Sequence, residues 1–291
     1  MESSFLTLQP ERSEPATAKY LIVPVPYEGS VCFLGGTSKG PGAILAVSNQ
    51  MEHFDEELQI DFTEAGIATL PAVEPKDLPH PQAIQYISEE VRNRKIFQSG
   101  KIPIFLGGEH SITPPFVRAA AEIYDNISVL QFDAHADLRD SYTTGGKFSH
   151  GSAMRRVLEI TPHLVQAGIR SFSLEEKRDC PEYIEKIITP QKIRSDFDGC
   201  IKNILYNLTE KVYITIDIDG LDPAFAPGTG TPEPGGLDWF QLTGILRQVC
   251  EAKTIIGADI VEVAPMGENN VITEFLAARL AGKLIAYTIK R

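Results

Sequence analysis

Short runs rich in β-branched and aromatic residues alternate along this chain with longer segments whose apolar residues recur at helical spacing. Such alternation predicts parallel βαβ units joined by right-handed crossovers. Two strand candidates, SVLQF and VYITI, are almost continuously apolar, as expected of strands covered by helices on both faces. The sequence therefore predicts an α/β fold, a three-layer α/β/α sandwich around a mostly parallel sheet, in one domain over residues 19–291.

The apolar runs give the expected bounds of the elements. Strands are predicted at 20–25, 66–70, 102–106, 127–132, 164–169, 212–216 and 255–261, with a weaker candidate at 187–189. Helices are predicted at 43–54, 83–98, 116–124, 153–160, 198–208, 239–252 and 271–289. Residues 222–236, DPAFAPGTGTPEPGG, contain four prolines and four glycines and predict a long irregular loop of the kind that often has a function.

Charge and hydropathy exclude several classes of partner. The net charge of −12 argues against nucleic acid or an anionic membrane as the main partner and is compatible with a cationic substrate. No apolar run approaches the length of a membrane span. Residues 1–18 lack the basic and apolar regions of a secretory signal, so we expect a flexible N-terminal arm and a cytoplasmic protein.

The four cysteines form no CxxC pair. We expect all of them to be buried, reduced structural thiols, as is usual in the cytosol. They are Cys32, Cys180, Cys200 and Cys250.

The strongest local feature is the segment DAHAD, which directly follows the strand SVLQF. Alternate side chains of extended backbone share a face, so Asp133 and His135 point together beyond the strand, and Asp137 follows in the loop. In open α/β sheets ligands bind at this carboxyl end of the strands. A single aspartate here would more often cap a helix, but three metal-ligand residues within five favour a metal site.

Two further strands end in the same kind of residue. Asp217 and Asp219 follow VYITI, and two carboxylates that close together repel each other unless a cation balances them. Turn formation in DGLDP explains Asp219 better than Asp217. His110 follows the strand IPIFL in the segment GGEHS. A lone histidine would not indicate a metal ligand, and His110 becomes a candidate only because the other two clusters are present.

The ligand candidates outnumber the needs of one tetrahedral zinc ion. Two imidazoles and four carboxylates, with no thiolate, fit two ions of borderline-hard character, for which manganese is the natural choice. The candidate ligands are His110, Asp133, His135, Asp137, Asp217 and Asp219.

Two more residues are candidates for catalysis without being needed as ligands. Glu262 follows the strand at 255–261 and is expected to point into the same crevice, where it could pair with a planar cation. His150 lies in FSHGS after the DAHAD segment and is a candidate acid/base or proton shuttle.

Together these motifs resemble the ureohydrolase family, which includes arginase, agmatinase and related amidinohydrolases. The N-terminal segments PYEG and GGTSKGPGAI resemble the agmatinase branch. The matching motifs keep the family's order over most of the chain. They are GGEHSIT (107–113), DAHAD (133–137), SHGSAMRR (149–156), DIDGLDPAFAPGTGTPEPGG (217–236) and DIVEVAP (259–265).

The resemblance implies an eight-stranded parallel sheet, two Mn²⁺ ions per chain and a homotrimer or homohexamer. It implies that His110, Asp133, Asp137 and Asp217 hold one ion and that Asp133, His135, Asp217 and Asp219 hold the other. A metal-bridging hydroxide would attack a guanidinium carbon paired with Glu262. His150 would act as the proton shuttle, Asp137 could contact the intermediate, and urea would leave.

The substrate tail is less well defined. The serine/asparagine set that grips the α-carboxylate in arginases is absent, and Gly146-Lys147-Phe148 stands before the SHG segment. This favours agmatine, cleaved to putrescine and urea in polyamine biosynthesis. Arg139 and Lys147 would suit guanidinobutyrate, while N1-aminopropylagmatine and, less readily, arginine remain candidates. A non-catalytic oligomeric metal-binding scaffold and a single-zinc deacetylase on a related fold are the alternatives of other classes.

Overall fold

The computed structural model describes residues 4–267 and 269–289. Within them, seven strands form one sheet in which every neighbouring pair is parallel, in the order β4-β1-β5-β9-β8-β6-β7. A small antiparallel hairpin, β2–β3, lies apart from it. The strands are β1 (Tyr20–Val25), β2 (Phe54–Asp55), β3 (Ile60–Asp61), β4 (Ile67–Thr69), β5 (Ile102–Gly107), β6 (Ile127–Phe132), β7 (Leu164–Ala167), β8 (Lys211–Asp217) and β9 (Thr254–Val261).

Helices cover both faces of this sheet, and two clusters of buried apolar residues fill the space between the layers. The α/β/α sandwich predicted from the strand–helix alternation is confirmed. The helices are α1 (Pro10–Ser13), α2 (Gly40–Ser48), α3 (His80–Asn93), α4 (Thr113–Ala121), α5 (Ala153–Val157), α6 (Leu174–Asp179), α7 (Pro181–Ile184), α8 (Pro190–Ser195), α9 (Phe197–Asn207), α10 (Trp239–Ala252) and α11 (Ile272–Thr288).

The sheet order explains why distant motifs meet. Strands β5, β9, β8 and β6 are consecutive neighbours in the sheet, although long crossovers separate them in the chain. Each is almost entirely buried, as their apolar sequences predicted. Because the strands are parallel, their carboxyl ends lie at one edge, where all four motif segments begin.

Two expectations need correction. The weak strand at 187–189 does not extend the sheet: Ile188 forms a single isolated bridge with Ala167, so the described sheet has seven strands instead of eight. Within residues 4–18, expected to be a loose arm, Phe5 and Leu6 are buried in the core, whereas most of residues 9–17 are exposed. The Leu6 N–H donates to Ser48 Oγ at 2.9 Å.

The hairpin β2–β3 is tied to the last helix by a buried ammonium group. Lys283 Nζ on α11 lies 2.9 Å from Asp55, 3.0 Å from Glu56 and 3.3 Å from Glu57. Its side chain is almost fully buried, a state that a lysine tolerates only when it is paired. Across the described ranges, no helix combines the length and hydropathy needed to cross a membrane.

Candidate metal centre and active-site cavity

His110 has its two ring nitrogens in opposite environments. Nε2 lies 2.9 Å from Thr215 Oγ1, and Thr215 donates its hydroxyl proton to Asp259 Oδ1 at 2.6 Å. Nε2 therefore carries a proton and donates to Thr215. Nδ1 faces three carboxylates, at 3.0 Å from Asp137, 3.1 Å from Asp133 and 3.4 Å from Asp217.

The environment of His110 Nδ1 shows whether these residues fit a metal ion. It is buried and has no hydrogen-bond partner among the described residues. When the imidazole is neutral, in the tautomer set by Thr215, Nδ1 presents a lone pair to three carboxylates, an arrangement that requires a proton or a metal cation between them. A second-layer acceptor that fixes the tautomer of an imidazole is also the usual arrangement behind a metal-ligating histidine. The donor set fits a metal ion.

A second group of candidate ligands shares Asp133 with the first. His135 Nδ1 lies 3.1 Å from Asp219 Oδ2 and 3.6 Å from Asp133 Oδ1. One triad that can hold an ion is therefore His110, Asp133 and Asp137, and the other is Asp133, His135 and Asp219. Asp133 is a member of both triads. Asp217 belongs to neither triad, although its carboxylate contacts His110.

The protonation states of the site without ions show how strongly its charges interact. Burial alone would lower the pKa of both imidazoles, but the facing carboxylates raise the pKa of His110 well above its usual value and that of His135 to about 12. Burial, with the charge of Asp133, raises the pKa of Asp137 to about 7. Burial and the charges of Asp219 and Asp133 also raise the pKa of Asp217 well above the usual value.

A layer of buried polar residues supports the ligands. Gln131 Nε2 donates to Asp133 Oδ2 at 2.6 Å, and Gln166 in turn donates to Gln131. The fully buried Asp259 accepts hydrogen bonds from three hydroxyl groups, those of Thr215, Tyr213 and Thr113. Motif reasoning missed this layer. Its signal was a polar residue inside an otherwise apolar strand, as in SVLQF and VYITI.

Glu262 reaches the same site from the end of β9. Its Oε1 accepts a hydrogen bond from the backbone N–H of His110 at 2.7 Å, and its own N–H donates to the Gly108 carbonyl. The φ angle of +63° is strained for a residue with a side chain and turns the carboxylate inward. Burial and the charge of Glu109 raise the pKa of Glu262 well above the usual value, and a bound cation would reverse that effect.

A cavity of about 230 Å³ opens onto these groups. His150, Glu262 and Arg139 all line it. Lys147 is absent from the lining and lies 3.7 Å from Asp140 Oδ2. Burial lowers the pKa of His150. The cavity wall also includes residues that motif reasoning missed, among them Val31, Phe33, Leu34, Tyr142, Phe172, Glu176 and Thr231.

One cysteine expectation is wrong. Cys180, Cys200 and Cys250 are buried, but Cys32 is exposed and lines the mouth of the cavity. The segment 31–34 looks apolar because it forms a wall of the cavity, not because it belongs to the core: Phe33 and Leu34 are 69% and 50% exposed.

The proline- and glycine-rich loop is held in place by Arg170. Its guanidinium donates to six backbone carbonyls, including those of Asp219, Glu233 and Pro234. Asp222 accepts from the N–H groups of Gly235 and Gly236 and so closes the loop on itself. Thr231 lies in this loop and donates to the ligand candidate Asp219. The loop thus forms part of the wall of the site.

Fold and site together define a class of protein: a parallel α/β domain with a candidate two-ion centre at the carboxyl ends of neighbouring strands. A family model described as the arginase family matches residues 18–286. The chain therefore belongs to the arginase family and is a hydrolase acting on guanidino groups, as its motifs predicted. The family depends on a pair of metal ions, and the two triads are the candidate ligands for them.

Proteins similar to this chain include ureohydrolases of agmatine and of N(1)-aminopropylagmatine. The N(1)-aminopropylagmatine ureohydrolase of a Synechocystis species is 36% identical over 276 residues, which cover 94% of this chain and 90% of the relative. The agmatinase of Bacillus subtilis is 32% identical, with 98% and 96% covered. The crystal structure of the agmatine ureohydrolase of Thermoplasma volcanium has a TM-score of 0.85 at 30% identity, covering 99% of this chain and 94% of that one.

Proposed function

We propose that this protein hydrolyses the guanidinium group of agmatine to putrescine and urea, using two Mn²⁺ ions. The observation that carries the proposal is the buried Nδ1 atom of His110, which faces three carboxylates beside Glu262 in one cavity. We assign the ions to the six predicted residues, which would hold them through imidazole nitrogens and carboxylate oxygens: His110, Asp133, His135, Asp137, Asp217 and Asp219. When bound, the ions would supply a nucleophilic water at neutral pH.

The protein's own groups have three roles in this proposal. Glu262 binds the substrate guanidinium through a forked ion pair, because a planar cation matches the two oxygens of a carboxylate. That pairing orients the guanidinium carbon toward the ion centre. As the water oxygen forms a bond to this carbon, the water gives a proton to His150. The bond from the carbon to the alkyl nitrogen then breaks, and His150 passes that proton to the leaving amine. Asp137, one of the six residues assigned to the ions, also contacts the reaction intermediate.

The tail of the substrate is proposed to be an amine. In the sequence, Gly146-Lys147-Phe148 stands where the serine/asparagine set for an amino-acid carboxylate is expected, and the named agmatinase relatives support an amine tail. N1-aminopropylagmatine is the second candidate, because relatives with that name share 36% identity with this chain. The exposed rings of Phe33 and Phe172 at the cavity mouth offer apolar surface to a longer alkyl tail.

We also propose a cytoplasmic homo-oligomer, a trimer or hexamer. Exposed apolar side chains support self-association: Phe225, Val271 and Ile272 lie together around one open groove. The exposed Phe240 follows Trp239, which also lines this groove. Apolar patches of this kind on a protein surface usually mark a contact with another protein.

The test is urea release from a panel of guanidino compounds by protein loaded with Mn²⁺, with Asp133→Asn as the inactive control. We expect agmatine first, arginine behind by about 10³-fold in kcat/KM, and guanidinobutyrate between them. N1-aminopropylagmatine ahead of agmatine would move the assignment to the second candidate.

Two results would contradict the proposed two-metal hydrolase activity. Absence of urea release from every compound, with both ions bound, would indicate a metal-binding scaffold. Elemental analysis that finds one ion per chain after saturation would favour the single-metal deacetylase class.

A further inference from the structure

His150 is held by a residue far from it in the sequence. Ser30 Oγ lies 3.0 Å from His150 Nδ1 and accepts a second hydrogen bond from the backbone N–H of His150 at 3.1 Å. Ser30 is 1% exposed, so water does not compete for these bonds. The loop that carries Ser30 is fixed as well, because Thr144 donates to the Ser30 carbonyl at 2.7 Å.

The position of the hydroxyl proton of Ser30 follows from its other neighbour. Ser30 Oγ lies 2.9 Å from Glu109 Oε1, and the backbone N–H groups of Gly29 and Ser30 donate to Oε2 of the same carboxylate at 2.9 and 2.7 Å. Ser111 Oγ also donates to Oε1. Glu109 is thus buried among four donors and acts as an acceptor on both oxygens. The Ser30 hydroxyl proton points to Glu109.

The hydrogen bonds of Ser30 determine the tautomer of the His150 imidazole. A serine hydroxyl has one proton to donate and two lone pairs with which to accept. Since the proton of Ser30 is used by Glu109, its oxygen accepts from His150, and Nδ1 of His150 must carry hydrogen. Nε2, on the other side of the ring, is the nitrogen without a fixed proton. The edge of the ring also packs against Tyr142, at 5.7 Å and 75°, which limits its rotation.

We infer that Ser30 and Glu109 are positioning residues that fix His150 in the Nδ1-protonated tautomer, so that Nε2 alone exchanges protons with the substrate. The inference rests on the proposed function and adds to it the atom through which the proton passes. Glu109 accepts the proton of Ser30, and Ser30 accepts Nδ1–H of His150. Nε2 accepts a proton from the attacking water and gives it to the alkyl nitrogen as the bond from the guanidinium carbon to that nitrogen breaks. The imidazole is thus oriented by a third group, as in other catalytic histidines.

The kinetic test uses Ser30→Ala, with Ser149→Ala as a matched control. Ser149 is also a buried serine, next to His150 in sequence, but its hydroxyl has no hydrogen-bond partner within the described ranges. Ser30→Ala should lower kcat for agmatine by about 10- to 100-fold, within the range of acid–base contributions, with KM and bound metal within about twofold of the parent. Ser149→Ala should keep the parent kcat.

The second test does not depend on turnover. Side-chain nitrogen NMR is recorded on histidine-labelled protein loaded with diamagnetic Zn²⁺, and the His150 signal is assigned by its loss in His150→Asn. The parent should show a protonated Nδ1 and an unprotonated Nε2 at mildly alkaline pH. Ser30→Ala should show a mixture of tautomers, while Ser149→Ala should match the parent.

The two tests separate this inference from the proposed function. A parent protein that releases no urea but shows the fixed tautomer contradicts the function and leaves the positioning intact. A parent whose His150 carries its proton on Nε2 overturns the inference. So does Ser30→Ala with both kcat and the NMR signal unchanged.

Discussion

At the scale of single residues, His110 is oriented before any ion binds. Thr215 and Asp259 form a chain of two hydrogen bonds behind its Nε2 atom, at 2.9 and 2.6 Å. Thr215→Val keeps the shape of the side chain and removes this chain. We expect apparent metal affinity to fall by about 10- to 100-fold, as for other second-layer partners, with the circular dichroism spectrum unchanged. Chelator competition measures the affinity, and an unchanged value would contradict the role.

Glu262 provides the sharpest residue-scale prediction for catalysis. Glu262→Gln keeps an oxygen that can accept from the His110 N–H, so both ions should remain bound. The neutral amide cannot balance a guanidinium, and we expect kcat/KM to fall by about 10³-fold. Glu274→Gln is the matched control, since it removes another buried carboxylate, on α11, away from the cavity. A Glu262→Gln variant with activity near that of the parent would falsify the pairing role.

The raised pKa values of the ligands predict a pH-dependent affinity for metal. Without ions, His110 and His135 hold protons well above the usual histidine pKa, and Asp137 has a pKa of about 7. Ions bind neutral imidazoles and ionised carboxylates, so each ion displaces protons. Apparent affinity should therefore rise with pH and weaken as pH falls. Calorimetry in two buffers with different protonation enthalpies measures the released protons. Equal heats in the two buffers would be the contrary result.

At the scale of elements, strands and long helices follow from their patterns, whereas short elements do not. Helix α10 has the predicted bounds, and its start is fixed by a capping box at Asp238. Helices α6, α7 and α8 have four to six residues each, too few for a helical period to appear in the sequence. The start of α6 depends on the capping box of Ser173 with Glu176, a signal readable from the spacing alone.

Arg170 supports the loop at 222–236 as one unit, and that predicts a coupling between stability and metal binding. Arg170→Lys keeps the charge but loses the fork that reaches six carbonyls. We expect Tm to fall by on the order of 5–10 °C and metal to dissociate faster, because the Asp219 carbonyl loses its donor. Arg178→Lys, an exposed arginine paired with Asp179, is the control. An unchanged Tm in Arg170→Lys would show that the loop at 222–236 is stable without the hydrogen bonds of Arg170.

At the scale of the whole molecule, the ion site could be predicted because parallel strands end at one edge of the sheet. The motifs after β5, β6, β8 and β9 were therefore expected at one edge, and the sheet order makes these four strands neighbours. The rest of the cavity is built from loops, and no pattern in the chain pairs Ser30 with His150 across 120 positions. Such contacts follow from tertiary packing, which is also why Cys32 lies at the cavity mouth and Lys147 does not.

The positive charge of Arg139 in the cavity wall predicts which substrate tails the cavity favours. Arg139 lines the cavity, with its guanidinium 5.1 Å from the centre of the Tyr142 ring and 3.9 Å from Glu175. Lys147, on the same loop, points to Asp140 instead. A half-exposed cation within the cavity disfavours a cationic tail and favours a carboxylate tail, by an amount limited by solvent screening.

Arg139→Gln should therefore lower kcat/KM for guanidinobutyrate and raise it for agmatine, which changes their ratio by about 3- to 10-fold, as expected of one partly screened charge. Lys147→Gln removes the same charge from the same loop outside the cavity, and it should leave the ratio unchanged. Both variants are assayed by urea release at equal manganese loading. If Lys147→Gln changes the ratio as much as Arg139→Gln does, the effect comes from net charge and not from the cavity wall. If neither changes it, the tail does not reach Arg139, and the specificity must come from the segment 31–34 and Phe172 on the other walls.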